Sequence, residues 1–434
     1  MMDLKKDILK WIIVILILLF LPYGSVLLVL AFIILFFKNN IYNSDLLLLY
    51  FLLFFIQNVA EGGGNSGLNN TRFLLIFVSF LKMVSQNGFS YNLLFRKAIY
   101  FPILIIFLVL HSIIFSYNMA NSLVELVSFM ALFFFTFQNT YFENIQQRSR
   151  ILNSIEAMYI AIIALSIISF AIPSIAYARN GVGFQGVGNH PNAFGVVIAP
   201  YCGWMIIRLF QKFNSRDLAL AFTSFIFLFL TQSRTSILSL LLGIIVIMII
   251  NKKLRILISR KTLILIMISS SLIIFNLNTL SDSIFNFLDK GNTGSVEESI
   301  LSSRGSLIDK QTYNINNNPL FGIGFKTPSD FIIAENVFTI GKPYEKGNMI
   351  LAVTEELGTI GFIILFITIT SLLKLGSNRR TILLILPAVA IFTTMGEATL
   401  FSIGGIGVII WAFIFLSFHN GMLIEKQNSA KKLK

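Results

Sequence analysis

The chain is a succession of apolar runs, each about 15 to 25 residues long, that are separated by mostly short polar segments. A helix needs about 20 residues to cross the hydrocarbon core of a bilayer, and fewer when its ends are polar. We therefore predict an all-α, polytopic membrane protein with about 14 (12–14) transmembrane helices. The predicted spans lie near residues 8–22, 25–37, 44–60, 72–86, 98–116, 120–138, 153–173, 192–210, 216–231, 235–250, 262–279, 349–373, 381–396 and 400–418.

Charge is scarce in this chain and is spread thinly along it. Charged residues make up 12% of the 434 residues and hydrophobic residues 56%, whereas a soluble domain carries about 25% charged residues. The net charge of +13 comes from lysines and arginines scattered between the apolar runs. Because these residues form no single basic face, we predict no nucleic-acid partner and interpret the charge as a signal for membrane orientation.

The basic residues are distributed unequally between alternate loops. If the N-terminus is cytoplasmic, 24 of the 33 lysines and arginines fall on the cytoplasmic side. Positive residues favour the cytoplasmic side of a membrane protein, so we predict that both termini are cytoplasmic. The outer side then receives a long polar segment, residues 280–348, and a shorter one, residues 174–191.

The long outer segment has its own helical pattern. Ser295 followed by Glu298 is a capping box that predicts the start of a helix, and the "NNNP" at 316–319 predicts its end. Apolar residues recur between these points at helical spacing. We predict an amphipathic helix over the outer mouth of the protein, with Arg304 projecting from it.

Three outer arginines lie beside helix ends or on this loop helix, namely Arg179, Arg234 and Arg304. The planar guanidinium binds phosphate through two hydrogen bonds and stays charged at any accessible pH. For each arginine alone, the alternative is a side chain that reaches to the membrane interface. Three on the side that is poor in positive charge together favour an anion site.

The segment "RNGVGFQGVGNHPNAFG", residues 179–195, precedes the eighth predicted span. Its glycines allow tight backbone turns, and Asn192 is predicted as the N-cap of the following helix. Two interpretations stay open: an ordinary glycine-rich turn, or a loop that brings backbone and His190 close to a ligand.

Carboxylates also occur inside the predicted spans. Glu355 and Glu356 lie about one and a half turns into a membrane helix, where a charge costs several kcal/mol unless it is paired or hydrated. We predict a functional role for them, with a structural pair to an arginine such as Arg304 as the alternative. Glu397 is predicted to be solvated at a helix end, and Glu125, in the sixth span, receives no role.

The residues that usually bind metals do not form a metal-binding pattern. The three histidines lie in unrelated segments, and Cys202 is the single cysteine. No histidine pair has the spacing of a helical zinc site, so we predict neither a metal nor a cofactor.

Together these segments resemble the superfamily of O-antigen and capsular polysaccharide polymerases (Wzy-like) and O-antigen ligases. The matching segments follow the family order and are "RNGVGFQGVGNHPNAFG", "TQSRTSILSLLLG", "SRGSLIDKQTYNINNNPLFGIGF" and "GNMILAVTEELGTIGF". The resemblance covers about residues 150 to 375. It implies a GT-C-like fold and a metal-independent glycosyltransferase that uses a sugar linked to polyprenyl pyrophosphate at the outer leaflet.

The resemblance also implies roles for individual residues. Arg234 and Arg304 would hold the donor pyrophosphate, with Arg179 as a third candidate, and the substrate-binding set is completed by Asn192 and Asn348. A ligase has a His-Asn pair at the start of its Glu-Leu-Gly helix, where this chain has Gly347-Asn348. The missing histidine favours a polymerase and leaves Glu356, Glu355 and His190 as candidate general bases.

The resulting prediction is a single integral membrane domain over residues 1–434 of a bacterial cytoplasmic (inner) membrane. N-terminal helices occupy 1–150, the polymerase/ligase-like region 150–375, and C-terminal helices with a basic tail 376–434. The predicted function is a polysaccharide repeat-unit polymerase for O-antigen, capsule or exopolysaccharide, with the lipid-linked oligosaccharide and the bilayer as partners and a chain-length regulator left open. The alternatives are a ligase that transfers finished polymer, and a transporter or lipid flippase.

Overall fold

The fold is known from a computed structural model that describes residues 2–60, 71–85, 98–179, 181, 183–250, 296–330, 346–376, 382–402 and 405–432. Within these residues the regular elements are helices, which confirms the predicted all-α class. The α-helices are α1 (Met2–Phe20), α2 (Gly24–Phe37), α3 (Asn43–Phe55), α4 (Phe73–Ser85), α5 (Tyr100–Ile114), α6 (Met119–Asn139), α7 (Ile145–Ser169), α8 (Pro173–Ala176), α9 (Pro191–Gln211), α10 (Ser215–Leu230), α11 (Arg234–Ile250), α12 (Val296–Asn317), α13 (Met349–Gly376), α14 (Ile385–Thr393) and α15 (Ile406–Lys432). A short 3-10 helix, Ile382–Leu384, precedes α14.

Five of these helices are long and apolar enough to cross a bilayer, and they lie in α6, α7, α9, α13 and α15. Shorter apolar helices of 10–17 residues include α2, α3, α5 and α11. The chain is therefore a multi-pass helical membrane protein. The span predicted at 262–279 lies outside the described residues, and the count of about 14 spans and the GT-C-like architecture stay predictions.

Helix α9 lies at the centre of the bundle and packs against α10, α11 and α14. A Cβ added to Gly195 would lie 2.8 Å from the Ser236 hydroxyl and 2.9 Å from the Ser233 Cβ. Glycine at this position allows the N-terminal ends of α9 and α11 to approach closely, as small residues do between membrane helices. The glycine-rich segment and the start of the "SRTS" helix are thereby held side by side.

The other central helix is α15, which packs against α6, α13 and α14. Aromatic rings fill this contact: Phe133 of α6 lies 4.9 Å from the Trp411 ring and 4.7 Å from the Phe415 ring, measured between centroids. Edge-to-face pairs of this kind add to the stabilisation that burial of the rings provides. The core thus fixes α6 and α13 relative to each other, which matters for the site below.

Helix α12 confirms the predicted loop helix, because it starts at Val296, one residue after the predicted cap, and ends within "NNNP". Its second half packs against α13. Arg304 lies within α12, while its side chain lies outside the part of the chain that the structure describes.

Candidate functional site

Helix α13 is broken at Gly358, next to the two glutamates. Gly358 has φ 69° and ψ −178°, a conformation that is essentially restricted to glycine. The break frees the N–H groups of the next two residues from the helical pattern. Thr359 instead donates to the Pro319 carbonyl at 2.9 Å, and Ile360 donates to the Leu320 carbonyl at 3.3 Å.

The same break also frees two carbonyl groups, those of Glu355 and Glu356. Ile323 donates to the Glu355 carbonyl and Gly324 donates to the Glu356 carbonyl, both at 2.9 Å. Gly322, between the two sets of bonds, has φ 66°, and a Cβ there would lie 2.4 Å from the Glu355 carbonyl oxygen. The "PLFGIG" segment thus replaces the lost helical bonds, because buried backbone groups need partners.

The connection between α5 and α6 holds this segment from the other side. His111 donates from Nε2 to the Phe321 carbonyl, and the Phe115 and Phe321 rings stack with centroids 3.9 Å apart. Ser122 of α6 donates to the Phe325 carbonyl at 2.7 Å. His111 thus bonds a loop carbonyl, and the "PLFGIG" segment is fixed between α6 and α13.

The Glu355 carboxylate is completely buried and surrounded by donors. Asn314 and Gln311 of α12 donate to it at 2.6 and 3.4 Å, and the Ser329 hydroxyl donates at 2.9 Å. The Lys346 ammonium lies 3.0 Å from its Oε2. A carboxylate accepts about four hydrogen bonds, so Glu355 is fully occupied in tying α12 to α13.

Lys346 bridges the two glutamates. Its Nζ lies 3.0 Å from the Glu356 Oε1 as well as 3.0 Å from Glu355, and only 7% of Lys346 is exposed. The other oxygen of Glu356 accepts a hydrogen bond of 3.0 Å from the Lys326 backbone N–H. Burial by itself lowers the pKa of Lys346, but the Glu356 and Glu355 carboxylates outweigh it and raise that pKa above its ordinary value. The two carboxylates therefore favour the charged form of Lys346, which lies just before α13.

A small cavity of about 40 Å³ opens beside Glu356. Its ionisable lining residues come from three parts of the chain: Glu125 on α6, Lys326 after the "PLFGIG" segment, and Lys346 with Glu356. Apolar residues form the rest of the wall: Met349, Ala352, Val353, Ala398, Leu400 and Phe401. Lys326 has φ 56°, a left-handed conformation that is uncommon outside glycine and asparagine and that often marks a functional site.

The loop 394–398 joins the starts of α9 and α11 to the residues around the cavity. Asn192 donates from Nδ2 to Glu397 Oε1 at 3.1 Å, and a Cβ added to Gly396 would lie 2.2 Å from the Thr235 side chain. Ala398 donates to the Lys346 carbonyl at 3.0 Å. The loop 394–398 therefore contacts three residues: Asn192, Thr235 and Lys346.

Several of the predicted site residues cap a helix or form a hydrogen bond close to a helix end. The N-cap of α9 is His190, not Asn192, because Pro191 takes the first helical position and His190 Nδ1 accepts from the Asn192 N–H at 3.1 Å. Asn348 caps α13 by accepting from the Ile350 N–H at 2.8 Å. The prediction of a solvated Glu397 is wrong, since this residue is half-buried and hydrogen-bonded to Asn192.

The arginines differ in their surroundings. Arg234 is the first residue of α11 and is half-buried. Arg179 is exposed, and its backbone N–H donates to Gln185 Oε1 at 2.9 Å. Through the contact of Thr235 with Gly396, the first turn of α11 lies beside the loop that carries Glu397, while the side chain of Arg304 lies outside the described residues.

Lys346, Lys326 and Glu125 were missed as site residues by the sequence analysis. Lys346 had a signal, because two adjacent glutamates in an apolar helix require a nearby cation, and "EKGN" supplies one directly before that helix. Glu125 had only its position inside a span as a signal. Lys326 had none, since its conformation depends on the docked loop.

The comparison with protein families finds a match, which covers part of the chain. Residues 219–366 match the family model described as O-antigen ligase. This match supports the resemblance to the superfamily of O-antigen ligases and Wzy-like polymerases. The matched segment contains Arg234, Arg304, the "PLFGIG" loop and both glutamates, and it ends just after the break in α13.

No curated protein matches the chain. Among the described residues, no group of three or more histidine, cysteine, aspartate or glutamate side chains is arranged to hold a metal ion.

Proposed function

We propose that this protein is a polysaccharide repeat-unit polymerase of the O-antigen ligase superfamily. It would transfer a glycan from polyprenyl pyrophosphate to the next lipid-linked repeat unit. The observation that carries the proposal is the docking of the "PLFGIG" segment onto the broken helix α13 beside a cavity lined by Glu356, within the region that matches the family model; the described residues contain five candidate membrane spans. A lipid-linked sugar is a substrate that such a site can take directly from the bilayer.

In this proposal the arginines hold the pyrophosphate. Arg234 and Arg304 bind the donor phosphates, and Arg179 is the third ligand. As the bond between the anomeric carbon and the phosphate oxygen breaks, negative charge grows on the leaving pyrophosphate. Guanidinium groups in a partly dry site stabilise that charge without any metal.

The carboxylates have separate tasks. Glu355 binds α12 to α13 and has no oxygen left for a substrate, whereas Glu356 lines the cavity. Glu356 and Lys346 are placed to orient an acceptor sugar, while Asn192 and Asn348 complete the substrate-binding surface. His190, whose Nδ1 caps α9, supports the backbone of the glycine-rich loop.

A ligase is the second candidate, because the matched family model is described as O-antigen ligase. In that case the finished polymer passes to a different acceptor. The segment that begins α13 carries Gly347 and Asn348 where a ligase has His-Asn, and Asn348 is a helix cap. The lack of the ligase histidine favours the polymerase.

The proposed setting is the outer face of a bacterial cytoplasmic membrane, with both termini cytoplasmic. This orientation places α12, the "PLFGIG" segment and the start of α13 on the outside, where polyprenyl-linked repeat units are joined. Reporter fusions at residues 280–348 test it. A cytoplasmic location of that segment would contradict the proposed reaction.

The test is deletion of the gene in its host, followed by sizing of lipid-linked and surface glycans on gels. A polymerase predicts single repeat units without long polymer, and a ligase predicts long polymer left on its lipid carrier. An unchanged ladder would contradict both and favour a transporter.

Complementation then tests the residues. Arg234→Ala is expected to restore no long polymer, because the pyrophosphate loses a charge-assisted partner. The matched control is Arg150→Ala, an exposed arginine on the predicted cytoplasmic side, which is expected to restore the full ladder. Normal polymer with well-expressed Arg234→Ala would refute the pyrophosphate assignment.

A further inference from the structure

Gln57 lies directly after α3, in the N-terminal part of the chain that carries none of the family segments. It is 1% exposed, and Gln185 of the glycine-rich segment is equally buried. A buried amide is costly unless its polar atoms are hydrogen-bonded. We propose that Gln57 and Gln185 are positioning residues that hold Arg179 in place for the donor pyrophosphate, an inference that rests on the proposed function.

The two side-chain amides form one chain of hydrogen bonds. The Arg179 backbone N–H donates to Gln185 Oε1 at 2.9 Å, and Gln185 Nε2 donates to Gln57 Oε1 at 3.0 Å. Gln57 Nε2 donates in turn to the Ile175 carbonyl at 2.9 Å and to the Gly186 carbonyl at 3.4 Å. Amides linked in this way polarise and strengthen one another. The chain of bonds runs from Arg179 back to α8 and thereby fixes the turn between them.

The end of α3 gives this chain of bonds a rigid support. The Phe55 carbonyl accepts from the Asn189 N–H at 2.9 Å, and the Gln57 N–H donates to the Val187 carbonyl at 3.3 Å. Nearly all of α3 is buried in the core of the bundle. The glycine-rich segment is therefore fixed against α3, and the Gln57 side chain leads from this support to Arg179.

The same segment leads on to the candidate site. Arg179, at one end of it, is exposed and accessible to a ligand. At the other end, Asn192 donates to Glu397 of the loop 394–398 at 3.1 Å, and that loop also contacts Lys346. A guanidinium binds phosphate best when its N–H groups already point at the phosphate oxygens. Fixing the Arg179 backbone in advance lowers the entropy that donor binding would otherwise cost.

The test measures kcat/KM of the full-length protein in lipid nanodiscs, with the lipid-linked glycan that accumulates in the deletion strain as substrate. Gln57→Met keeps the length of the side chain and removes its amide. We expect kcat/KM to fall about 10-fold or more, because a charge-assisted contact to the pyrophosphate is weakened. The matched control is Asn139→Leu, which removes a fully buried amide at the end of α6. It is expected to lower stability and to leave kcat/KM of the folded protein unchanged.

A double-mutant cycle with Arg179→Ala separates positioning from a purely structural role. If Gln57 acts through Arg179, Gln57→Met lowers kcat/KM in the wild-type background but not in the Arg179→Ala background. Gln185→Met, which removes the acceptor of the Arg179 N–H, is expected to behave in the same way. Equal losses of kcat/KM in the two backgrounds would show a role independent of Arg179 and overturn the inference. Failure of both glutamine variants to fold would also overturn it.

The remaining outcomes distinguish this inference from the proposed function. If wild-type protein converts the glycan and Arg179→Ala is equally active, the inference is overturned and the proposed function stands. Full activity of both Gln57→Met and Gln185→Met has the same meaning. If wild-type protein leaves the glycan unchanged, the proposed function fails and the inference fails with it.

Discussion

Substitution of Gly358 by alanine tests whether the broken helix creates the site. A non-glycine residue at φ 69° and ψ −178° costs about 1–3 kcal/mol in backbone strain. The added Cβ would also lie 2.1 Å from the Leu320 carbonyl oxygen. Since that atom belongs to the backbone, the "PLFGIG" segment has to move away.

This movement would weaken or break the four backbone hydrogen bonds that join the "PLFGIG" segment to α13. Each contributes about 0.5–1.5 kcal/mol net, so complete loss amounts to about 2–6 kcal/mol. With the strain, Gly358→Ala is expected to lower the free energy of unfolding by about 3–9 kcal/mol, the upper end applying if the segment detaches. Glycan polymerisation is expected to be lost as well, because Glu356 and Lys326 separate.

The assay is denaturant unfolding of the purified protein in detergent, with polymer length in complemented cells as the functional readout. Gly305→Ala is the matched control, because a Cβ on Gly305 of α12 meets no atom within 4 Å. Alanine in a helix interior is expected to add up to about 1 kcal/mol of stability there. If Gly358→Ala were as stable and as active as Gly305→Ala, the docking of the segment into the broken helix would be refuted.

Lys346→Met is expected to lower the free energy of unfolding by about 3–5 kcal/mol, because two buried carboxylates lose their cation. The control is Lys310→Met in the exposed pair of Lys310 and Asp330, which is expected to change that free energy by about 1 kcal/mol or less. Equal losses of unfolding free energy for the two variants would contradict the argument. The folded-state pKa of Lys346 is raised, so its stabilising contribution is present below the unfolded pKa of about 10.4 and is lost as the pH rises through the folded value. The difference in unfolding free energy between wild type and Lys346→Met should therefore shrink only at strongly alkaline pH, and a difference that shrinks between about pH 6 and 8 would disprove this.

The helices could be predicted well because their causes are local. In the described residues, apolar runs and caps placed helix ends within a few residues for α2, α6, α9 and α11, and the capping box located the start of α12. Helical hydrogen bonds join residues four apart, so the information lies in short stretches of sequence. Three of the four family segments lie within residues 219–366, the region that matches the O-antigen ligase family model.

Some residues of the candidate site could be predicted from the local sequence, whereas their partners could not. Arg234, Glu355 and Glu356 stand out in the sequence because charge inside or beside an apolar run is unusual. The partners of those residues come from distant segments, as Lys346 joins both glutamates and Glu125 reaches the cavity from α6. No local pattern predicts such meetings.

The amino-acid sequence alone determined that this chain is an all-helical membrane protein and which of its segments carry the resemblance to the polymerases and ligases. Only the tertiary structure decided that Gly358 opens α13, that "PLFGIG" fills the gap, that Glu355 is hydrogen-bonded to α12, and that Glu356 and Glu125 line one cavity. The physical reason is that helix formation is governed by neighbouring residues, whereas the pairing of buried charges and unsatisfied backbone groups depends on which distant segments the packed bundle brings within about 3 Å.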